Sequence, residues 1–141
     1  MSALDDYPYR RVLGTRWADN DIYGHVNNVQ YYALFDTLIN AYLIKEGGLD
    51  MHGGPVIGIC AESHCRYHAS LAFPDDVIGA LRVGKLGRSS VTYEIALATA
   101  DDDAPLAATG SFTHVFVDSA TRRPTPIEGR LRDALERLIP A

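Results

Sequence analysis

Asn27-Asn-Val-Gln-Tyr31-Tyr-Ala-Leu-Phe35-Asp-Thr-Leu-Ile-Asn40-Ala-Tyr-Leu-Ile-Lys45-Glu-Gly47-Gly48 is the stretch on which the fold turns. From Asn27 to Glu46 it contains no glycine or proline, and Gly47-Gly48 closes it. Asn27 or Asn28 can accept hydrogen bonds from the first free N–H groups, and Gly47 can take the left-handed conformation that ends a helix. The segment is therefore expected to be a single helix. Tyr31, Leu34, Phe35, Leu38, Tyr42 and Leu43 form an apolar stripe at helical spacing, and Val29, Ala33, Ile39, Ala41 and Ile44 spread apolar character round the rest. Asp36 is the one charge before Lys45. A helix apolar on most sides is covered on most sides, so a sheet wrapped round it is expected.

Working outward, the flanks supply that sheet. Tyr9 to Trp17 reads as a first strand, with Val12, Thr15 and Trp17 contributing β propensity. After His52-Gly-Gly-Pro55, Val56 to Tyr67 begins apolar and then alternates, with Glu62, His64, Arg66 and His68 on one face and Ala61, Ser63, Cys65 and Tyr67 on the other. Val77 to Leu86 follows Phe73-Pro-Asp-Asp76, and Gly87-Arg88-Ser89 turns into Val91 to Thr99. Asp101 to Pro105 is a loop before Leu106 to Val117, and Leu131, Leu135 and Leu138 mark a short C-terminal helix. Sequential strands with short loops are expected to pair antiparallel. The reading is an α+β class, a single domain over residues 1–141, with about five strands round a long central helix.

Composition narrows the function. Hydrophobic residues make up 47% and charged residues 22%, as in soluble globular proteins. With 13 basic and 18 acidic residues the net charge is −5, which argues against a nucleic-acid binder. Cys60 and Cys65 are five residues apart, an odd offset that points them to opposite faces of a strand, so they are read as free thiols. There is no signal peptide and no apolar run long enough to cross a bilayer, so a cytoplasmic location is expected.

Chemistry is concentrated in Trp17-Ala-Asp-Asn-Asp21-Ile-Tyr-Gly24-His25-Val-Asn27-Asn28, just ahead of the helix. A helix N-terminus carries unpaired N–H groups and about half a positive charge. Such groups can hold a carbonyl oxygen and stabilise the charge it gains under attack. A carboxylate slightly upstream can sit across that carbonyl as nucleophile or as base for water. Gly24 would let the backbone approach a ligand. The bland alternative is that Asp21 is only a cap or turn residue. Asp19 is read as a turn or solvent residue and as the understudy for Asp21. His25 orients Asp21, binds ligand or bonds to backbone at the helix start, and Asn27 either caps the helix or contacts ligand or a partner subunit. Asp36 is expected to bond to a neighbouring strand or across a dimer axis; Tyr31, Tyr32 and Phe35 are read as core or pocket wall, with core favoured. His64 and His68 stand about 13 Å apart on an extended strand, too far for one metal. No Gly-x-Ser-x-Gly elbow occurs, and Ser89-Ser90 lacks a His/Asp partner pattern.

Thr15-Arg-Trp-x-Asp-x-Asp-x-x-Gly-His-Val-Asn-Asn28, followed by an aromatic-rich helix, resembles the 4-hydroxybenzoyl-CoA thioesterase-like family of hotdog-fold proteins. Arg66-Tyr67, Pro74-Asp-Asp-Val77 and Gly87-Arg-Ser-Ser90 extend the resemblance in the same order along the chain. It implies an acyl-CoA thioesterase without metal or cofactor, a homodimer or homotetramer with active sites at the subunit interface. It places the catalytic carboxylate on Asp21, the carbonyl-polarising backbone N–H near Asn28, and CoA contacts near Arg88, Ser89 and Ser90; His25, Gly24 and Asn27 complete the expected site. Ile22 and His25-Val-Asn-Asn28 stand where aromatic-CoA members carry a proline and bulky residues, which leans toward the broader acyl-CoA branch. The competing readings are a non-catalytic acyl-CoA-binding module and a thioesterase acting on acyl-carrier protein.

Overall fold

The computed structural model describes residues 3–100 and 105–141; most of the expected Asp101–Pro105 loop therefore lies outside the described residues. Helix α1 spans Asn28–Lys45, with the Asn27 side chain accepting from Val29 N–H as its cap and the Glu46 N–H bonding to the Tyr42 carbonyl at its end. Strands β1 (Tyr9–Leu13), β2 (Val56–Tyr67), β3 (Val77–Leu86), β4 (Ser90–Thr99) and β5 (Leu106–Asp118) and the terminal helix α2 (Gly129–Glu136) follow the expected order. The first strand is shorter than expected. It ends at Leu13, and Trp17–Asp19 instead forms a 3-10 turn.

The strands form one antiparallel sheet in the order β1-β3-β4-β5-β2. Pairing does not simply follow sequence, because β2 pairs with β5 at an edge and not with β3. The connection between β2 and β3 runs beneath the start of α1. There Leu71 is 1% exposed and its carbonyl accepts from Val26 N–H at 2.7 Å.

One face of the sheet packs on α1. Leu81, Val91, Tyr93, Ile95, Leu97, Phe112 and Phe116 meet Phe35, Leu38, Ile39 and Leu43 in a single buried cluster. The close approach needs Gly110 on β5, where a Cβ would collide with the Phe35 ring. On the other face, Leu4 and Tyr7 cover Ala80, Ala96 and Ala98. The helix is less enclosed than its composition suggests, since Val29, Tyr32 and Ile44 are exposed. The sheet covers one side of the helix, and the Tyr42 hydroxyl bonds to the Ala134 carbonyl of α2 near its C-terminal end.

Within β2 the register shifts between Cys60 and Glu62. That bulge corrects the expected placement of the cysteines. Cys60 pairs with His114 and Cys65 with Gly110, so both sulfurs lie on the helix side of the strand. Both remain free thiols.

Candidate active site

The segment before α1 is held by a succession of local bonds. Asp19 is 6% exposed, its Oδ2 accepting from Arg16 N–H at 2.8 Å and its Oδ1 from the Arg16 guanidinium at 2.9 and 3.1 Å. The Asp19 carbonyl accepts from Asn27 N–H at 2.8 Å. Asp19 does lie in a turn, one of the two readings expected, but it is a buried anchor and not a solvent residue, because the 3-10 turn folds Arg16 back over it. Asn20 Oδ1 accepts from Phe73 N–H at 3.0 Å and ties the loop to the β2–β3 connection.

Asp21 begins a second turn. Its Oδ1 accepts from Tyr23 N–H at 2.9 Å, its carbonyl accepts from Gly24 N–H at 3.1 Å, and its own N–H donates to the His25 carbonyl at 2.9 Å. Gly24 has φ +81, so its need is conformational; an added Cβ would meet no atom within 4 Å. Asp21 Oδ2 has no hydrogen-bond partner among the described residues.

Asp21, His25 and Asn28 come together on one cavity of about 400 Å³, which Val26, Tyr31, Tyr67, His68, Ala69 and Ser70 also line. The Asn28 N–H opens α1 and has no acceptor among the described residues, since the cap oxygen of Asn27 is taken up by Val29. His25 is exposed and meets Asp21 through its backbone carbonyl, leaving its imidazole free at the cavity. Asn27 and Gly24 shape the loop without lining that cavity. Within the chain Asp36 accepts from Asn40 one turn along the helix at 3.0 Å, and the bond to a neighbouring strand, one of the two expected, is not made.

Tyr31 is both buried and part of the cavity wall, whereas Tyr67 and His68, Ala69 and Ser70 are the wall that sequence reasoning missed. The Tyr67 hydroxyl donates to the Asn28 carbonyl at 3.1 Å, and its ring meets Tyr31 edge-on at 4.8 Å between centroids. Loss of hydration, with the Cys65 thiol beside it, pushes the Tyr67 phenol up to about 12, and burial also raises Tyr31. Both hydroxyls stay protonated at neutral pH. The only signal in the sequence was the Arg66-Tyr67 pair, and its position gave no hint of contact with the helix start.

The turn Gly87-Arg88-Ser89-Ser90 is not brought to this cavity. It joins β3 to β4 at the opposite end of the sheet, where Ser89 and Arg88 carbonyls bond to Phe116 and Ile127 N–H groups. Ten-residue strands separate the two ends by about 30 Å. Among the described residues no cluster of His, Cys, Asp or Glu is placed to hold a metal, and no helix is long and apolar enough to cross a membrane.

With that geometry in place, the comparisons are specific. Residues 15–135 match the thioesterase-like superfamily. The chain belongs to this family. The match takes in the Asp21 loop, α1 and every strand from β2 onward. The solved structure of the PA5185 protein from Pseudomonas aeruginosa strain PAO1 is 50% identical, with a TM-score of 0.94 over 98% of this chain and 96% of that one. PA2801 from the same species, proposed to be a thioesterase, is 30% identical, with a TM-score of 0.84 over 91% of this chain and 98% of that one. Slr0204 from Synechocystis, a 1,4-dihydroxy-2-naphthoyl-CoA thioesterase, shares the fold at 17% identity, with a TM-score of 0.80 over 90% of this chain and 94% of that one. No curated protein sequence matches the chain. Membership supports the hotdog reading of the five-stranded sheet and helix, and thioester hydrolysis as the general activity.

Proposed function

We propose that this protein hydrolyses acyl-CoA thioesters, with Asp21 as nucleophile or general base and the Asn28 N–H as the donor to the thioester oxygen. The observation that carries the reading is that Asp21, which keeps one unbonded oxygen, and Asn28, which keeps an unbonded N–H, line one cavity. A carbonyl carbon between them would be attacked from the carboxylate side while negative charge grows on the oxygen facing the helix dipole. The bond from Asp21 Oδ1 to Tyr23 holds the carboxylate in one orientation, which favours a near-attack geometry. His25, free at the rim, takes a ligand-binding role. The CoA-acting Synechocystis neighbour supports CoA as the thiol carrier.

The working unit in this reading is a homodimer or homotetramer with the site at a subunit interface. Two features support it: the exposed edge strand β2 and the distance, within one chain, between Asp21 and the Gly87–Ser90 turn. A second copy would supply Arg88, Ser89 and Ser90 to the thiol carrier.

The test is thiol release from short, medium, long and aromatic acyl-CoAs by the intact protein and by Asp21→Asn. Release that disappears in the folded variant supports both the activity and its carboxylate. Retained release removes Asp21 from the chemistry. No release by folded wild-type protein overturns the acyl-CoA hydrolase reading. Release from acyl-carrier-protein thioesters would then identify the other carrier, and acyl-CoA binding without cleavage would identify a binding module.

A further inference from the structure

Asp21 and the Asn28 N–H can act together only at a fixed separation, and both lie on the loop that leads into α1. One other stretch of chain, residues 67–73, bonds to that loop at three points. Phe73 N–H donates to Asn20 Oδ1 at 3.0 Å, next to Asp21. The Leu71 carbonyl accepts from Val26 N–H at 2.7 Å. The Tyr67 hydroxyl donates to the Asn28 carbonyl at 3.1 Å, at the helix start. On the side of residues 67–73 the first two bonds use backbone, so only the third depends on which residue stands there.

Tyr67 is a rigid post. It closes β2, paired with Ala108 on β5, and directly after it His68 N–H and Ala69 N–H both donate to the Ala107 carbonyl, at 2.8 and 3.1 Å. Its ring meets the Tyr31 ring edge-on at 4.8 Å between centroids. Asn28 and Tyr31 lie three apart in the first turn of α1 and so share one face. Ring and hydroxyl grip that face at two points, which fixes its rotation as well as its distance from β2. The hydroxyl is not needed to satisfy the backbone, because a helix carbonyl already accepts from the N–H four residues on. Tyr67 takes the second lone pair of that oxygen. The Asn27 carbonyl in turn accepts from Gln30 N–H at 2.9 Å. The Asn28 N–H shares a peptide group with the Asn27 carbonyl and a residue with the carbonyl that Tyr67 holds, so both bonds set its direction.

We propose that Tyr67 is a positioning residue for the reaction at Asp21, its hydroxyl holding the helix start so that the Asn28 N–H stays at hydrogen-bond distance from the thioester oxygen. The inference rests on the thioester reading and adds to it the side chain that sets the separation of carboxylate and donor. Such a donor stabilises the developing charge only if it is already in place when the charge appears. A displacement of about 1 Å can cost about 10²-fold in rate. In this role the phenol keeps its proton. Loss of hydration pushes it up to about 12, so Tyr67 remains a donor throughout the neutral range.

The test compares Tyr67→Phe and Tyr67→Leu with the intact protein and with Asp21→Asn. Three readouts are taken: steady-state thiol release from the acyl-CoA that wild type cleaves fastest, thermal unfolding, and the NMR resonances of the Asn28 carbonyl carbon and amide nitrogen. Tyr67→Phe keeps the ring against Tyr31 and should lower kcat about tenfold, with KM within about twofold of wild type. Its thermal midpoint should stay near wild type, and the Asn28 resonances should shift while those of the second half of α1 do not. The kcat deficit should be constant from about pH 6 to about pH 9, where the phenol stays protonated. Tyr67→Leu, which also removes the ring from the cavity wall, should lower kcat further and raise KM. Wild-type kcat in Tyr67→Phe overturns the proposal, as do Asn28 resonances that fail to move. A loss confined to KM overturns it by making Tyr67 a wall only, and a deficit that changes steeply with pH overturns it by giving the hydroxyl a proton to transfer. If Asp21→Asn is inactive beside any of these results, the thioester reading stands and only the role of Tyr67 falls. No thiol release by folded wild type overturns both.

Discussion

Two adjacent turns, Arg16–Asp19 and Asp21–Gly24, each present an aspartate, and the structure treats them in opposite ways. Asp19 is buried, with both oxygens bonded to Arg16 and its carbonyl bonded to Asn27. Asp21 is half-buried and lines a cavity, with one oxygen held by Tyr23 and the other without a partner among the described residues. A carboxylate whose acceptor sites are filled by backbone and guanidinium is part of the scaffold. One that is oriented through a single bond and left open on its other side can act on a ligand. The pair shows how scaffold and reagent can lie two residues apart.

The largest effect expected from breaking this contrast is on catalysis. Asp21→Asn should lower kcat by about 10²–10⁴-fold, the usual range for a lost acid–base group, with little change in the thermal midpoint. Thiol release and calorimetry on one preparation check both halves. Asp19→Ala should do the reverse, costing about 1–3 kcal/mol because Arg16 N–H loses its acceptor. Its activity per folded molecule should stay within a few-fold of wild type. Urea unfolding and active-site-normalised rates would expose an exchange of roles if the two variants behaved alike.

His114 sharpens the contrast from a third position. It is 4% exposed among Tyr93, Phe112 and Phe116, with Nδ1 3.0 Å from the Tyr93 hydroxyl. Burial pulls it down to about 4, against a smaller opposing pull from Asp36. With its folded value below the ordinary 6.5, the unfolded chain takes up the proton first as pH falls. Stability is thus fully present above about 6.5, declines as pH drops toward 4, and levels below that. From pH 7 to pH 5 the loss should be about 2 kcal/mol, and His114→Gln should flatten that part of the urea-midpoint profile. The smallest effect belongs to the cap that joins the Asp21 turn to the helix. Asn27→Ala should cost about 1 kcal/mol, read as a lower urea midpoint.

Much of this architecture was legible. The α1 segment lacks helix breakers, is capped by Asn27 and stops just before Gly47-Gly48, where Gly48 and not Gly47 takes the left-handed conformation, so its limits were set by local backbone chemistry. Val56–Tyr67 and Val77–Leu86 were legible for the same reason, through β-rich runs cut off by glycine, proline and aspartate. Asp21, His25 and Asn28 could be nominated because sequence neighbours before a helix must be neighbours in space. What local pattern could not reach was anything dependent on a distant strand. Alternation alone sent Cys60 and Cys65 to opposite faces, and a bulge seen only in the pairing with β5 returned them to one.

The sequence by itself determined the helix, the strand segments and the carboxylate-bearing loop, because these depend on propensities and bonds within a few residues. Tertiary structure decided which aspartate was buried, which edge β2 occupies, and that Tyr31 and Tyr67 wall the cavity. Those outcomes depend on strand order and register, and contacts between residues far apart in sequence exist only once the sheet has closed over the helix.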